Sequence, residues 1–270
     1  MNRKIIVPTD FTRAASQAVR QAIAIASRAG WSVTLLHVHE GTEGDIPGIN
    51  EQMEREVEIA RQKTGFVCQY TVRSGPVQET IRNAVCDGEY DLMVIGTHGA
   101  RTIRQMIFGA DIVKLVATIS IPVLVVQEES PLIEEFRKIV LPVGSHETYM
   151  RSVEAVVLFG SIYDLEVHLY SIQKPGFDWP IQMLTNIEET RRILEERGIR
   201  MVRVKEEQDD HSAGFERQTL RYARSIGADT LWMMSVPSQD YYYLSKAYKE
   251  AMLMNDHHLP VLCAGGMSCT

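Results

Sequence analysis

The chain has 270 residues, enough to bury one large core or two modest ones, and its 45% hydrophobic and 23% charged content is that of an ordinary globular protein. A net charge of −7 argues against a nucleic-acid footprint or attraction to an anionic membrane surface. No apolar run reaches the roughly 18 residues of a membrane span, and Met1-Asn2-Arg3-Lys4 leads straight into a strand with no signal peptide before it. Cytoplasm is therefore the expected compartment, with no nucleic acid and no membrane as partner.

The first strand is Lys4-Ile5-Ile6-Val7-Pro8, short, β-branched and stopped by proline. Thr9-Asp10 follow, then a helix whose apolar stripe is Ala15, Ala18, Val19, Ala22, Ile23 and Ala26, closed by Gly30. Ser32 to His39 is the second strand. A polar connection from Glu40 to Gly48 leads to a charged helix with Met53, Val57 and Ala60 inward. Phe66 to Val72 is the third strand, and Gly75-Pro76 precede a helix carrying Val77, Ile81, Ala84 and Val85. Leu92-Met93-Val94-Ile95 is the fourth strand, and Ile121 to Val126 is the fifth. Alternating strands and helices with continuous apolar strands predict a doubly wound, five-stranded parallel sheet. Cys68, Cys86, Cys263 and Cys269 have no metal-like or redox spacing, and the first three sit in apolar segments as small core fillers.

The acidic stretch Gln127 to Glu135 reads as a linker, and then the pattern returns. Lys138-Ile139-Val140-Leu141-Pro142 echoes Lys4 to Pro8 at an offset of 134, as Val167-His168-Leu169-Tyr170 echoes Val33 to Leu36. Ala228-Asp229-Thr230-Leu231 echoes Tyr90 to Met93, and Leu259-Pro260-Val261-Leu262 echoes Ile121 to Leu124, both at 138. Four landmarks in the same order predict a tandem repeat, with domains over residues 1–127 and 136–266.

The stretch that carries chemistry is Gly96-Thr97-His98-Gly99, with Gly109 after nine intervening residues and a helix (Ile112, Leu115, Val116, Ile119) beyond. Strand, glycine loop and helix start aim main-chain N–H groups and a helix N-terminus at one point, which attracts an anion such as a phosphate chain. A side chain on such glycines would hold the ligand away from the backbone and forbid positive φ. The alternative is that they are simply turn glycines.

On Ile6-Val7-Pro8-Thr9-Asp10-Phe11, Leu36-His37-Val38, the glycine motif and Ile121-Pro122-Val123-Leu124-Val125-Val126, the chain resembles a tandem universal stress protein, of the adenine nucleotide alpha hydrolase-like class. The resemblance implies ATP, with or without Mg²⁺, at the carboxyl ends of the first domain's strands. It implies Asp10 and the Pro8-Thr9 backbone at the adenosine, Val38 offering main-chain contacts to adenine, and Gly96, His98, Gly99 and Gly109 lining the phosphates, with Ile95, Ala110 and Asp111 beside them; Arg101 in the intervening loop either offsets the charge of Asp111 or is solvated surface. One departure stands out: the family's Ser or Thr after the third glycine is Ala110, followed by Asp111. A missing hydroxyl removes a donor to a charged oxygen, about 1.5–3 kcal/mol. A carboxylate about 4 Å from a phosphate repels it unless Mg²⁺ bridges the two; Asp111 reads first as an acid favouring the helix dipole. The resemblance also implies a stress-response role and pairing through last strands, here an internal pseudo-dimer, with a further homodimer left open.

In the second half Gly96, Gly99 and Gly109 become Met234, Pro237 and Ala247, and Asp10 becomes Gly144. That half is expected to keep the fold and not to bind ATP in the family manner. Its Trp232, Met233, Met234, Met252 and Met254 read as core. His257-His258 with Cys263 has no supporting ligand spacing for a metal, and His211 with Asp209 and Asp210 reads as a solvated loop. No Walker, dinucleotide or nucleophile-elbow motif occurs, so no catalytic and no metal residue is assigned. A sensor or regulator that binds ATP is the leading reading, against a slow ATPase or a scaffold that binds no nucleotide.

Overall fold

The structure, a computed structural model, describes residues 3–40, 46–64, 68–97, 109–173, 175–208, 215–236 and 242–266. In chain order these form β1 (Lys4–Pro8), α1 (Arg13–Ala29), β2 (Ser32–His39), α2 (Ile46–Thr64), β3 (Cys68–Ser74), α3 (Val77–Gly88), β4 (Leu92–Thr97), α4 (Gly109–Thr118) and β5 (Val123–Gln127). The second half repeats the series as β6 (Lys138–Pro142), α5 (Met150–Gly160), β7 (Glu166–Gln173), α6 (Ile181–Glu196), β8 (Arg200–Glu207), α7 (Phe215–Ser225), β9 (Thr230–Met234), α8 (Tyr242–Leu253) and β10 (Val261–Ala264).

The strands form one ten-stranded sheet in the order β3-β2-β1-β4-β5-β10-β9-β6-β7-β8. Within each half every pairing is parallel, as expected from strands buried on both faces. The two five-stranded halves are not separate sheets, however: β5 and β10 pair antiparallel, Leu124 opposite Leu262, and make the internal pairing through last strands. The sequence repeat is also the register of the sheet. Lys4 faces Ser32 and Lys138 faces Glu166; Ile5 faces Leu92 and Ile139 faces Thr230.

Side-chain alternation along the strands builds two apolar layers. One lies under α1, α2, α5 and α6 and contains Val7, Leu35, Leu124, Leu141, Leu169, Trp232 and Leu262. The other lies under α3, α4, α7 and α8 and contains Ile6, Leu36, Ile95, Val125, Val140, Leu231 and Cys263. Both run across the β5–β10 join. Trp232, Met233, Met234 and Met252 are buried, as read from the sequence. Cys68 and Cys263 are buried free thiols, but Cys86 is half-buried and disulfide-bonded, not a core filler.

The linker differs most from expectation. Its acids face water, yet Ile133 and Phe136 are buried in the core. Two buried glutamines of α1 hold its main chain: Gln17 donates to the Ser130 carbonyl at 2.6 Å, while Gln21 donates to Ile133 O at 2.8 Å and accepts from Ile133 N at 2.9 Å. A segment fixed in that way is part of the fold, not a tether.

Candidate functional site

In the first half the strand order reverses between β1 and β4, and the crevice above such a switch point is where open α/β sheets take ligands. Pro8 ends β1, Thr9-Asp10 leave it on one side of this crevice, and Ile95, Gly96 and Thr97 end β4 on the other.

Asp10 is held by its own turn. Its Oδ1 accepts from Thr12 Oγ1 at 2.5 Å and from Thr12 N at 3.2 Å, and Thr12 Oγ1 in turn accepts from Ala15 N as the N-cap of α1. The turn passes through Phe11 at φ 63°, a conformation unfavourable for a bulky residue, and Phe11 stacks on His37 with ring centroids 4.8 Å apart. His37 Nδ1 lies 2.9 Å from the Thr9 carbonyl, which can only accept, so the proton sits on Nδ1. Thr12 is not singled out by the sequence, and Phe11 and His37 enter there only as carriers of the resemblance, with no role at the site. Thr12 was legible there, as a threonine just before an apolar helical stripe.

β2 outruns β1. The last paired residues are Pro8 and Leu36, and Thr9 N donates to Leu36 O at 2.8 Å. In a parallel ladder alternate residues direct both N–H and C=O to the same side. Leu36 addresses β1, so Val38 does too, at a level where β1 has ended. The main-chain N–H and C=O of Val38 therefore point into the space beside Asp10. The Thr9 N–H and C=O, by contrast, are both engaged within the protein.

Gly96 has a reason for being glycine that its motif did not reveal. A Cβ there would stand 2.7 Å from Ala15 N and closer still to the Ala14 carbonyl, so β4 abuts the α1 main chain. Gly96 is also absent from the positive-φ residues among those described. Gly109 and Ala110 open α4, whose N-terminus is thus on the ligand side of the sheet. Asp111 lies in its first turn and pairs with Lys114 Nζ at 3.1 Å, the position of an acid that favours the helix dipole. His98, Gly99 and Arg101 lie outside the described residues.

The second half keeps the main-chain ladder, with Val143 N donating to Tyr170 O at 2.9 Å, and loses the rest. Met234 fills the place of Gly96: its Sδ is 3.0 Å from Ser152 Oγ, and its Cε would be 2.5 Å from a Cβ on Gly265. α5 starts only at Met150, behind Tyr149, which is wholly buried and gives no side-chain cap. Pro237 lies outside the described residues, as do His211, Asp209 and Asp210. His258 contacts Gln127 across the join, while Cys263 is fully buried in the core.

Residues 1–127 match the universal stress protein family. No curated protein matches the chain by sequence. Among solved structures, the chain is similar over 99% of its length to a universal stress protein from Archaeoglobus fulgidus (12% identity, 97% of that chain, TM-score 0.72). A protein from Pseudomonas aeruginosa UCBPP-PA14, named for the same family, aligns over 97% of this chain and 92% of its own (16% identity, TM-score 0.59). These likenesses show the fold. A family protein from Arabidopsis thaliana, solved with AMP bound, covers 49% of this chain and 97% of its own (19% identity, TM-score 0.35).

Proposed function

We propose, from the match of residues 1–127 to the universal stress protein family, that the first half binds an adenine nucleotide, ATP foremost, and that the chain serves as a stress-response sensor or regulator. The observation that supports this reading best is the early stop of β1. It leaves the Val38 N–H and C=O directed past the end of β1, at the same end of the sheet where Asp10 follows β1 and Gly96 lies near the end of β4. Paired main-chain donor and acceptor suit the edge of a purine, and a carboxylate with one oxygen committed to Thr12 keeps its other oxygen for a ribose hydroxyl. The α4 N-terminus supplies main-chain N–H groups for phosphate.

Mg²⁺ asks for oxygen ligands and usually keeps several waters. The carboxylate nearest the phosphate end is Asp111, already paired with Lys114. A cation would therefore arrive on the phosphates with its waters, while Asp111 keeps its lysine. That pairing also softens the repulsion Asp111 would exert on phosphate.

Calorimetric titration of the full chain with ATP and Mg²⁺ tests the reading. Saturable binding is expected, weakened at least about tenfold in Asp10→Ala, since a hydrogen bond to a charged group is worth about 1.5–3 kcal/mol. Absence of heat and of thermal shift at millimolar nucleotide overturns it. A second reading, a scaffold without nucleotide, is favoured by one observation: the packing of Gly96 on α1 accounts for that glycine with no ligand at all.

A further inference from the structure

The second half packs on the carboxyl ends of β4 and β5 of the first half. β5 lies next to β4, with Thr97 opposite Gln127 at the carboxyl ends of both. Against those two residues sits the turn that follows α8. Met254 Sδ lies 3.5 Å from Thr97 Oγ1, the Gln127 side-chain amide donates to Asn255 O at 2.9 Å and Leu253 O at 3.4 Å, and His258 Nδ1 meets Gln127 Oε1 at 3.2 Å. Ser130 Oγ adds a bond to His258 O at 2.7 Å. Thr97 and Gln127 are both buried by this arrangement.

The turn is built to be stiff. Asn255 is buried, donates to Met252 O and Leu259 O at 2.8 and 2.9 Å, and accepts from Leu259 N at 3.0 Å; His258 takes φ 52°. The pseudo-two-fold axis repeats the contact in the other direction, where Gly266 packs on the Ile119 carbonyl so tightly that a Cβ would not fit. α4 and α8 also pack on each other. Each half thus steadies the strand ends of the other.

We propose that the Met254–His258 turn is a positioning element for the first half's nucleotide site: by fixing Thr97 and Gln127 it sets the β4 wall, Gly96 included, against Asp10 and Val38. A half without its own ligand apparatus then has a defined task, which is to complete the site of the other. This inference rests on nucleotide binding by the first half. Linkage makes the effect reciprocal, so nucleotide must also steady the turn.

The test uses the full chain. Met254→Ala and Asn255→Ala are expected to raise the ATP dissociation constant about 5–150-fold, the range of ordinary site-to-site coupling. Asn186→Ala serves as the control for general loosening, because Asn186 is equally buried but ties α6 to Gly144 O and His146 O within the second half; its affinity should match the parent's. Hydrogen exchange of residues 252–260 should slow on adding ATP and Mg²⁺, a response that a merely structural turn would not give. If the parent binds and both turn variants bind equally well, with exchange unchanged by nucleotide, the proposal is wrong while the binding reading stands. A parent chain that binds no nucleotide removes both.

Discussion

Gly96 in β4 lies directly against the main chain of Ala14 in α1, so that a Cβ would intrude on the Ala14 carbonyl and come within 2.7 Å of Ala15 N. Neither partner is the movable end of a side chain, so the space cannot be made by a rotamer change. Gly96→Ala must push β4 and α1 apart and is expected to cost about 1–3 kcal/mol, the usual penalty of overpacking. Urea denaturation should show a lower midpoint with an unchanged slope. The loss should appear without nucleotide, which separates packing from ligand approach as the reason for this glycine.

That contact spans 82 positions in sequence, which is why the motif alone suggested phosphate and not packing. What was legible was local or periodic. Ile5-Ile6-Val7 and Leu92-Met93-Val94-Ile95 read as buried parallel strands because burial on both faces leaves no polar alternation. The offset of 134 foretold the matching registers Lys4–Ser32 and Lys138–Glu166, and with 138 the registers Ile5–Leu92 and Ile139–Thr230. Ile133 and Phe136 were obscured by the acids around them: a segment that runs over the surface while inserting two anchors has a polar average. Asp10 was identified, but its clamp on Thr12 was not, although the two are only two residues apart.

The linker's attachment can be broken at Gln21. Replacement by leucine keeps the volume and strands the Ile133 N–H and C=O, both bonded to Gln21 in a site from which water is excluded. A buried polar group left without a partner costs about 1–3 kcal/mol. Gln21→Leu should therefore lower the melting temperature clearly, whereas Arg20→Leu, one position away on the exposed side of α1, should not.

Thr12 joins stability to the site. Thr12→Ala removes both the N-cap of α1 and the hydroxyl that holds Asp10 Oδ1. The capping loss is about 1 kcal/mol. Thr12→Ser retains both bonds and should restore both properties. Chemical denaturation reads the first and ATP titration the second; weakened binding in Thr12→Ala with recovery in Thr12→Ser is the expected pattern.

Lys249 makes the sharpest prediction about pH. On α4 the buried residues are Ile112, Val113, Leu115 and Val116, all apolar; on α8 the buried residues among the described side chains are Lys249, Met252 and Leu253. Lys249 thus shares the buried face of its helix with two apolar side chains, 8% exposed and with no hydrogen-bond partner for its nitrogen among the described residues. Its neighbour Cys263 offers no negative charge, because burial pushes that thiol up to about 12. Burial lowers the Lys249 pKa from 10.5 to about 8, an order-of-magnitude penalty of about 3 kcal/mol on the charged form. Between pH 8 and 10.5 the unfolded chain holds this proton and the native chain does not, so stability should rise with pH through that window. Below pH 8 both states are protonated and the whole penalty is present. Lys249→Met removes the charge and keeps an unbranched side chain of similar reach. It should stabilise the chain by up to about 3 kcal/mol at pH 7, and the advantage should shrink towards zero as pH approaches 10.5. The difference between the two urea curves at each pH cancels titrations common to both chains. An advantage that stays constant with pH would mean that methionine merely packs better, and that Lys249 has the same pKa in the folded and the unfolded chain.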